Sequence, residues 1–178
     1  MRRVDTLILA VLFATTYALA TRTEAQDKHQ AHRHGAASLQ VSLEGKALHV
    51  ALDSPADNLL GFEHAPRSEA QKKTVARADE QLKQPLQLFT TTPGAECRSQ
   101  SARVDMKLPT AGSGETHSEI EAEWRWECKQ PNALTHIDAG GLFKTFPRLK
   151  QLKVEIVTRQ GQMTSTLKPG AARLKIAS

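Results

Sequence analysis

Three of the seven histidines in this 178-residue chain lie within six residues of one another, at His29, His32 and His34. Imidazole nitrogen is the commonest protein ligand for zinc and its transition-metal neighbours. On an extended backbone, alternate side chains project to the same side, so His32 and His34 could bind one ion together. A His-x-His pair is common, however, and the segment is equally well interpreted as a polar tail without a function.

A second candidate for metal binding is the pair Glu63 and His64, which stands between Gly61 and Pro66. A loop bounded by glycine and proline is a good place to present ligands on a fixed backbone. Composition alone favours a simpler interpretation, in which His64 makes a backbone hydrogen bond in a loop that precedes a helix.

A third candidate is His117, which opens an alternating segment that carries Glu119, Glu121 and Glu123 on the same side. Neighbouring carboxylates repel one another, and either a bound cation or a basic neighbouring strand would relieve the repulsion. If this strand lay beside the strand that follows His34, the two rings could meet. We assign no metal role to His49 or His136.

The chain carries the pattern of a secretory leader. Met1-Arg2-Arg3 is followed by the apolar run Leu7–Ala14 and by Ala18-Leu19-Ala20, a small-residue cleavage signal. The run is too short to cross about 30 Å of hydrocarbon. We therefore predict a signal peptide over residues 1–20, with a second possible cleavage point after Ala25.

Composition excludes several classes of function. The net charge of +5 is spread along the sequence and the chain has one tyrosine, which disfavours nucleic-acid binding. No nucleophile elbow, His-Glu-x-x-His helix or phosphate-binding glycine loop occurs, so we do not predict an enzyme. After the leader no apolar stretch is long enough for membrane insertion.

The two cysteines, Cys97 and Cys128, are an even pair in a chain predicted to be exported. Such pairs usually form a disulfide. The alternative is that two thiolates join a histidine zinc site, which an oxidising compartment disfavours.

Hydrophobic spacing predicts an α+β fold in a single domain over residues 35–178, preceded by a flexible histidine-containing arm over 21–34. Alternation around Glu44-Gly45-Lys46 predicts a β-hairpin that ends at Asp53-Ser54-Pro55. Ser68 and Gln71 resemble a capping box and predict the one main α-helix, over about 67–83. The total is an antiparallel β-sheet of about seven strands. The other predicted elements are strands near 102–108, 120–128, 154–158, 163–167 and 174–176, a short helix within 142–147, and a short strand or helical segment at 86–89.

The chain also resembles a family of exported bacterial proteins, the ZrgA-type periplasmic zinc-binding proteins. The resemblance covers essentially the whole chain after the leader. Its most specific motif is the run from Leu52 to Pro66, Leu-Asp-Ser-Pro-Ala-Asp-Asn-Leu-Leu-Gly-Phe-Glu-His-Ala-Pro. The other matching segments are His32-Arg33-His34-Gly35, Cys97, His117-Ser118-Glu119, Trp126-Glu127-Cys128, Phe143-Lys144-Thr145-Phe146-Pro147 and Gly161-Gln162.

The resemblance implies a periplasmic location, a zinc ion (Zn2+) as the bound metal, a zinc importer or its periplasmic binding protein as a partner, and no known catalytic activity. It implies that Cys97 pairs with Cys128 and that the ligands are His32, His34, His64 and His117, with Glu63 as a further candidate. Family members often carry a long His- and Asp-rich insertion before the position of His117. Here that stretch is only Pro109–Thr116 and has no histidine, so we expect one or a few discrete sites.

The sequence therefore predicts a periplasmic protein that buffers zinc or delivers it to an importer. The alternative is a structural or partner-binding module of the envelope, in which the histidine-rich arm is incidental.

Overall fold

A computed structural model describes residues 34–110 and 118–176. The predicted leader, His29, His32 and His117 lie outside the described residues. The strands, in chain order, are β1 (Ala36–Glu44), β2 (Ala47–Pro55), β3 (Thr90–Thr91), β4 (Cys97–Lys107), β5 (Glu119–Cys128), β6 (His136–Asp138), β7 (Gln151–Thr158), β8 (Gly161–Leu167) and β9 (Arg173–Lys175). The α-helices are α1 (Ala56–Leu60), α2 (Glu69–Leu82), α3 (Pro85–Leu88) and α4 (Gly140–Thr145).

The main sheet has six strands in the order β4-β5-β2-β1-β7-β8. The predicted hairpins β1–β2 and β7–β8 are confirmed as antiparallel pairs. The prediction of a purely antiparallel sheet is wrong, because β1 and β7 pair in parallel. A parallel pair needs a long crossover connection, and nothing in the alternation of either strand indicates the direction of its partner.

One face of the main sheet is buried and the other is polar. The buried side chains of β5, such as Trp124 and Trp126, pack in one core with Leu82 of α2 and Leu142 of α4. The Trp124 indole N–H donates to the Leu82 carbonyl at 2.7 Å, and Phe89 packs edge-on against the same ring at 5.0 Å. The helices therefore cover one side of the sheet, which gives an α+β layer arrangement.

The described residues contain nine strands, not about seven. The two extra strands, β3 and β6, form with β9 a second, three-stranded sheet. They have two and three residues, too few to show alternation. The prediction placed the 174–176 strand correctly, but it did not indicate that this strand belongs to a separate sheet.

Helix α2 follows its sequence prediction closely. Ser68 is the N-cap, its hydroxyl accepts the Gln71 backbone N–H, and the Gln71 side chain accepts the Ser68 backbone N–H, which completes a capping box. Helix α1 was not predicted, and Pro55 lies within the end of β2 instead of after it. In the described parts of the chain, no helix is long and apolar enough to cross a membrane.

The acidic row on β5 faces a basic neighbour. Arg103 of β4 stands opposite Glu123, and Lys107 donates to Glu121 at 2.5 Å. The hydrogen bond that Lys107 donates to Glu121 is the main reason that the pKa of Lys107 is raised. Basic residues of β4 therefore lie beside part of the row, as the simpler of the two explanations expects, while Asp105 stands opposite Glu121.

Cys97 and Cys128 form a disulfide between β4 and β5, where they are register partners. The predicted pairing is confirmed. The alternative, in which both thiolates join a zinc site, is wrong, because a sulfur in a disulfide is not a thiolate.

Candidate metal site

The predicted ligands that the structure describes lie at one end of the main sheet, around α1. At this end β2 finishes and β1, β5 and β7 begin. We call this region the α1 end: it comprises His34, Gly35, residues 54–64, Ser118 and Arg148. The opposite end of the sheet carries the disulfide.

Asn58 holds the start of β1 against α1. Its side chain is fully buried. The amide oxygen accepts the Gly35 N–H at 2.6 Å, and the amide nitrogen donates to the Ala36 carbonyl at 2.8 Å and to the Ser54 hydroxyl at 3.2 Å. The backbone beside His34 is therefore fixed by a side chain from the motif that precedes His64.

Asp57, the neighbour of Asn58, contacts His34 itself. The His34 Nδ1 lies 3.3 Å from Asp57 Oδ2. A guanidinium nitrogen of Arg148 lies 2.7 Å and 2.9 Å from the two carboxylate oxygens. Partial burial raises the pKa of Asp57, but the hydrogen bonds and charges of Arg148 and, more weakly, His34 outweigh it, so the pKa is lowered from 3.8. An ionised carboxylate can only accept hydrogen bonds.

His64 lies in the loop that leaves α1 at Gly61, whose φ of +85° suits glycine. Its Nδ1 is 2.8 Å from the Ala65 carbonyl. A carbonyl only accepts, so Nδ1 is the donor in this hydrogen bond, and in the neutral ring the lone pair then lies on Nε2. The ring stacks on Phe62 with a centroid distance of 5.2 Å. The backbone hydrogen bond expected from composition is thus present, and it is compatible with metal binding through Nε2.

Ser118 attaches the start of β5 to this loop. Its side chain is buried, and its hydroxyl donates to the Glu63 carbonyl. Its own carbonyl accepts the Ala56 N–H at 2.9 Å. The residue that follows His117 in the chain is therefore bound both to α1 and to the loop of Glu63 and His64.

The buried polar side chains of the described residues are Ser54, Asn58 and Ser118, and all three belong to the α1 end. Among these residues no buried side-chain nitrogen or oxygen lacks a hydrogen-bond partner. Fully satisfied buried polar groups rigidify the structure around them. The segments that carry His34, His64 and Ser118 are joined by such groups.

The predicted ligand set is not assembled in the described structure. Within residues 34–110 and 118–176, no three His, Cys, Asp or Glu side chains are grouped closely enough to hold a metal ion. His32 and His117 fall outside these ranges, so the full set stays a prediction. The condition stated for a meeting of the His34 and His117 rings, that the strands after them are neighbours, does not hold, because β2 lies between β1 and β5. Both strands nevertheless begin at the same end, since Ser38 and Glu121 each stand opposite Asp53.

The histidines without an assigned metal role lie elsewhere. His49 stands opposite Arg125 on the polar face of the sheet. The His136 Nδ1 is 3.2 Å from the Thr92 hydroxyl and 3.1 Å from the Thr135 hydroxyl in the small-sheet region.

Four residues of the α1 end were missed as functional candidates: Asp57, Asn58, Ser118 and Arg148. The first three lie within motifs that carry the family resemblance, so a signal for them was present in the sequence. The sequence contains no such signal for Arg148, because this residue is 91 positions from its partner Asp57.

The fold is an α+β domain in which polar contacts hold the imidazoles of His34 and His64. The Nδ1 atom of each ring lies next to a hydrogen-bond acceptor. Its family follows from comparison with known proteins. The model of the ZrgA family zinc uptake proteins matches residues 31–176. The chain therefore belongs to this family of zinc uptake proteins, as its motifs indicated. No curated protein matches the chain.

Proposed function

We propose that this protein binds zinc in the periplasm and either buffers it or delivers it to an importer, without catalysing a reaction. The proposed ligands are His32, His34, His64 and His117, with Glu63 as a further candidate. The family supports a role in zinc uptake. The observation that carries the proposal is the set of hydrogen bonds, made by the buried Asn58 and Ser118, that joins the segments of His34, His64 and Ser118.

The chemistry of the described histidines fits zinc. Zinc takes about four ligands in a tetrahedral arrangement and binds neutral imidazole nitrogen. His34 and His64 each have Nδ1 next to an acceptor, which leaves Nε2 for a metal. The side chain of His34 is 73% exposed, so an ion held there could be reached from solvent. Exchange of zinc with a partner protein requires such access. In a structural zinc site, by contrast, four protein ligands fill the coordination shell.

Histidine ligation makes zinc affinity depend on pH, because protons compete with the metal for the imidazole nitrogen. An imidazole in water has a pKa of about 6.5, so it changes from mostly neutral to mostly charged between about pH 7.5 and about pH 5.5. Zinc affinity should therefore be lower at the acid end of this interval. Calorimetric titration with zinc, on protein prepared without a histidine tag, measures the loss.

Single substitutions test the ligand set. His32→Ala, His34→Ala, His64→Ala and His117→Ala should each weaken zinc binding by about tenfold or more, because a lost ligand is replaced by water. His136→Ala is the matched control, since its ring is half-buried and hydrogen-bonded away from the α1 end. Equal affinity at the two pH values, or a larger loss in His136→Ala than in the four variants, would contradict the proposal.

A further inference from the structure

We propose that Asp57 and Arg148 are positioning residues for zinc binding, which orient the ring of His34 and fix its proton on Nδ1. The inference rests on the proposed function, because it assigns His34 a metal to bind. It adds two residues that are not in the proposed ligand set, and it predicts the tautomer of His34 in the zinc-free protein.

The geometry defines the role of the carboxylate. Asp57 Oδ2 accepts from His34 Nδ1 at 3.3 Å, while Arg148 contacts both carboxylate oxygens. Arg148 Nε also donates to the Asp57 backbone carbonyl at 3.0 Å. A carboxylate already engaged by a guanidinium on both oxygens is poorly placed to be a metal ligand itself. It can still orient a neighbouring imidazole.

Orientation matters because a neutral imidazole has two tautomers, and only the nitrogen without a proton can bind metal. In water the form with the proton on Nε2 is favoured. A hydrogen bond to an acceptor at Nδ1 reverses this preference and exposes the Nε2 lone pair. Metal-binding histidines commonly make this bond to a carboxylate, which also raises the basicity of the ligand.

The segment around Arg148 holds both the ring and the backbone at His34. The guanidinium holds Asp57, and the N–H groups of Lys150 and Gln151 donate to the Gly35 carbonyl at 2.7 Å and 2.9 Å. The imidazole of His34 and the peptide group that follows it are thus both held by one segment, residues 148–151, which leads into β7. The Nδ1 of His64 instead contacts the neutral carbonyl of the next residue, Ala65. The orientation of the His64 ring therefore does not depend on Arg148.

The first test is the tautomer of His34 in zinc-free protein, read from long-range proton–nitrogen NMR spectra of the imidazole rings. The intact chain should show His34 with its proton on Nδ1. Asp57→Ala should shift it towards the Nε2 form and leave His64 unchanged. Arg148→Met keeps the carboxylate but frees it to move, and it should produce a smaller shift in the same direction.

The second test is zinc affinity measured on the same proteins. Asp57→Ala should weaken binding by about 10- to 100-fold, the usual effect of removing the partner of a metal-binding histidine. The matched control is Asp138→Ala, which removes a carboxylate that accepts the Gly140 N–H at 2.8 Å and lies 3.6 Å from Arg173. It should leave both the His34 tautomer and the affinity as they are.

The outcomes separate the two proposals. An intact chain that binds no zinc overturns the proposed function. An intact chain that binds zinc, with an Asp57→Ala variant that keeps the His34 tautomer or the full affinity, overturns only the positioning role. If Asp57→Ala does not fold, Arg148→Met carries the test, because it leaves Asp57 in place, and an unchanged tautomer and affinity in that variant would overturn the positioning role.

Discussion

The two ends of the six-stranded sheet are held together in different ways. At the disulfide end, a covalent bond joins β4 to β5, and the Cys128 N–H donates to the Lys46 carbonyl at 2.8 Å. At the α1 end, the described side chains that join the segments do so through hydrogen bonds and ion pairs. The disulfide fixes the chain without offering a metal ligand. The hydrogen bonds of the α1 end fix the backbone around imidazoles whose Nε2 remains available. Stability and zinc binding should therefore be separable between the two ends.

The largest expected effect tests that separation at the disulfide end. Replacing both Cys97 and Cys128 by alanine opens a link across 31 residues of sequence. In the chain-entropy account, its loss should lower the free energy of unfolding by about 3–4 kcal/mol. Urea denaturation measures this change. Zinc affinity should stay within about twofold, because distant sites are nearly additive; a tenfold loss would show that the two ends are coupled.

The second effect is at the α1 end and should change both properties. Asn58→Ala leaves the Gly35 N–H and the Ala36 carbonyl without their side-chain partner. The loss of these part-buried bonds, together with the buried bond to the Ser54 hydroxyl, should lower the free energy of unfolding by about 2–3 kcal/mol. Zinc affinity should also fall, because the backbone beside His34 is released.

The control for Asn58→Ala is Asn132→Ala, an exposed asparagine near the disulfide end. It should change the free energy of unfolding by less than about 0.5 kcal/mol. If Asn58→Ala lowers stability and leaves zinc binding untouched, the buried hydrogen bonds serve the fold alone. The comparison between the ends would then lose its functional meaning.

The same contrast explains which parts of the fold the sequence could predict. Local signals were sufficient for the capping box of α2, the turn at Glu44-Gly45-Lys46 and the alternating strand that ends at Cys128. Each depends on residues a few positions apart. The parallel pairing of β1 with β7 depends on where the chain returns after a long connection, and local spacing does not record this.

For the candidate site, the sequence indicated the proposed ligands but not the groups that contact them. The His-x-His pattern pointed to His34, the loop between Gly61 and Pro66 together with the family resemblance pointed to His64, and the structure places both at the α1 end. The role of Arg148 could not be inferred, because an arginine in a loop is ordinarily a solvated side chain. Its pairing with Asp57 exists only once β7 lies beside β1.

The smallest expected effect concerns acid, to which the α1 end should respond and the disulfide should not. The pKa of Asp57 is lowered below 3.8 in the folded protein. Its ionic contribution to stability is therefore complete above the unfolded value and is lost as the pH falls through the folded value. At neutral pH, Arg148→Met should cost at most about 1 kcal/mol, since the arginine is half exposed. With a chelator present, urea denaturation should show this difference shrinking once the pH falls below 3.8.

The hydrogen bond from Arg148 Nε to the Asp57 carbonyl does not titrate, so a part of the difference should persist in acid. Asp57→Asn is the background that isolates the ionic part, because there the effect of Arg148→Met should not change with pH. A difference that is the same at neutral and acid pH in the unsubstituted background would mean that Arg148 acts through its packing and its backbone contact. In that case both ends of the sheet would be held by interactions insensitive to charge, and the orientation of His34 would need another source.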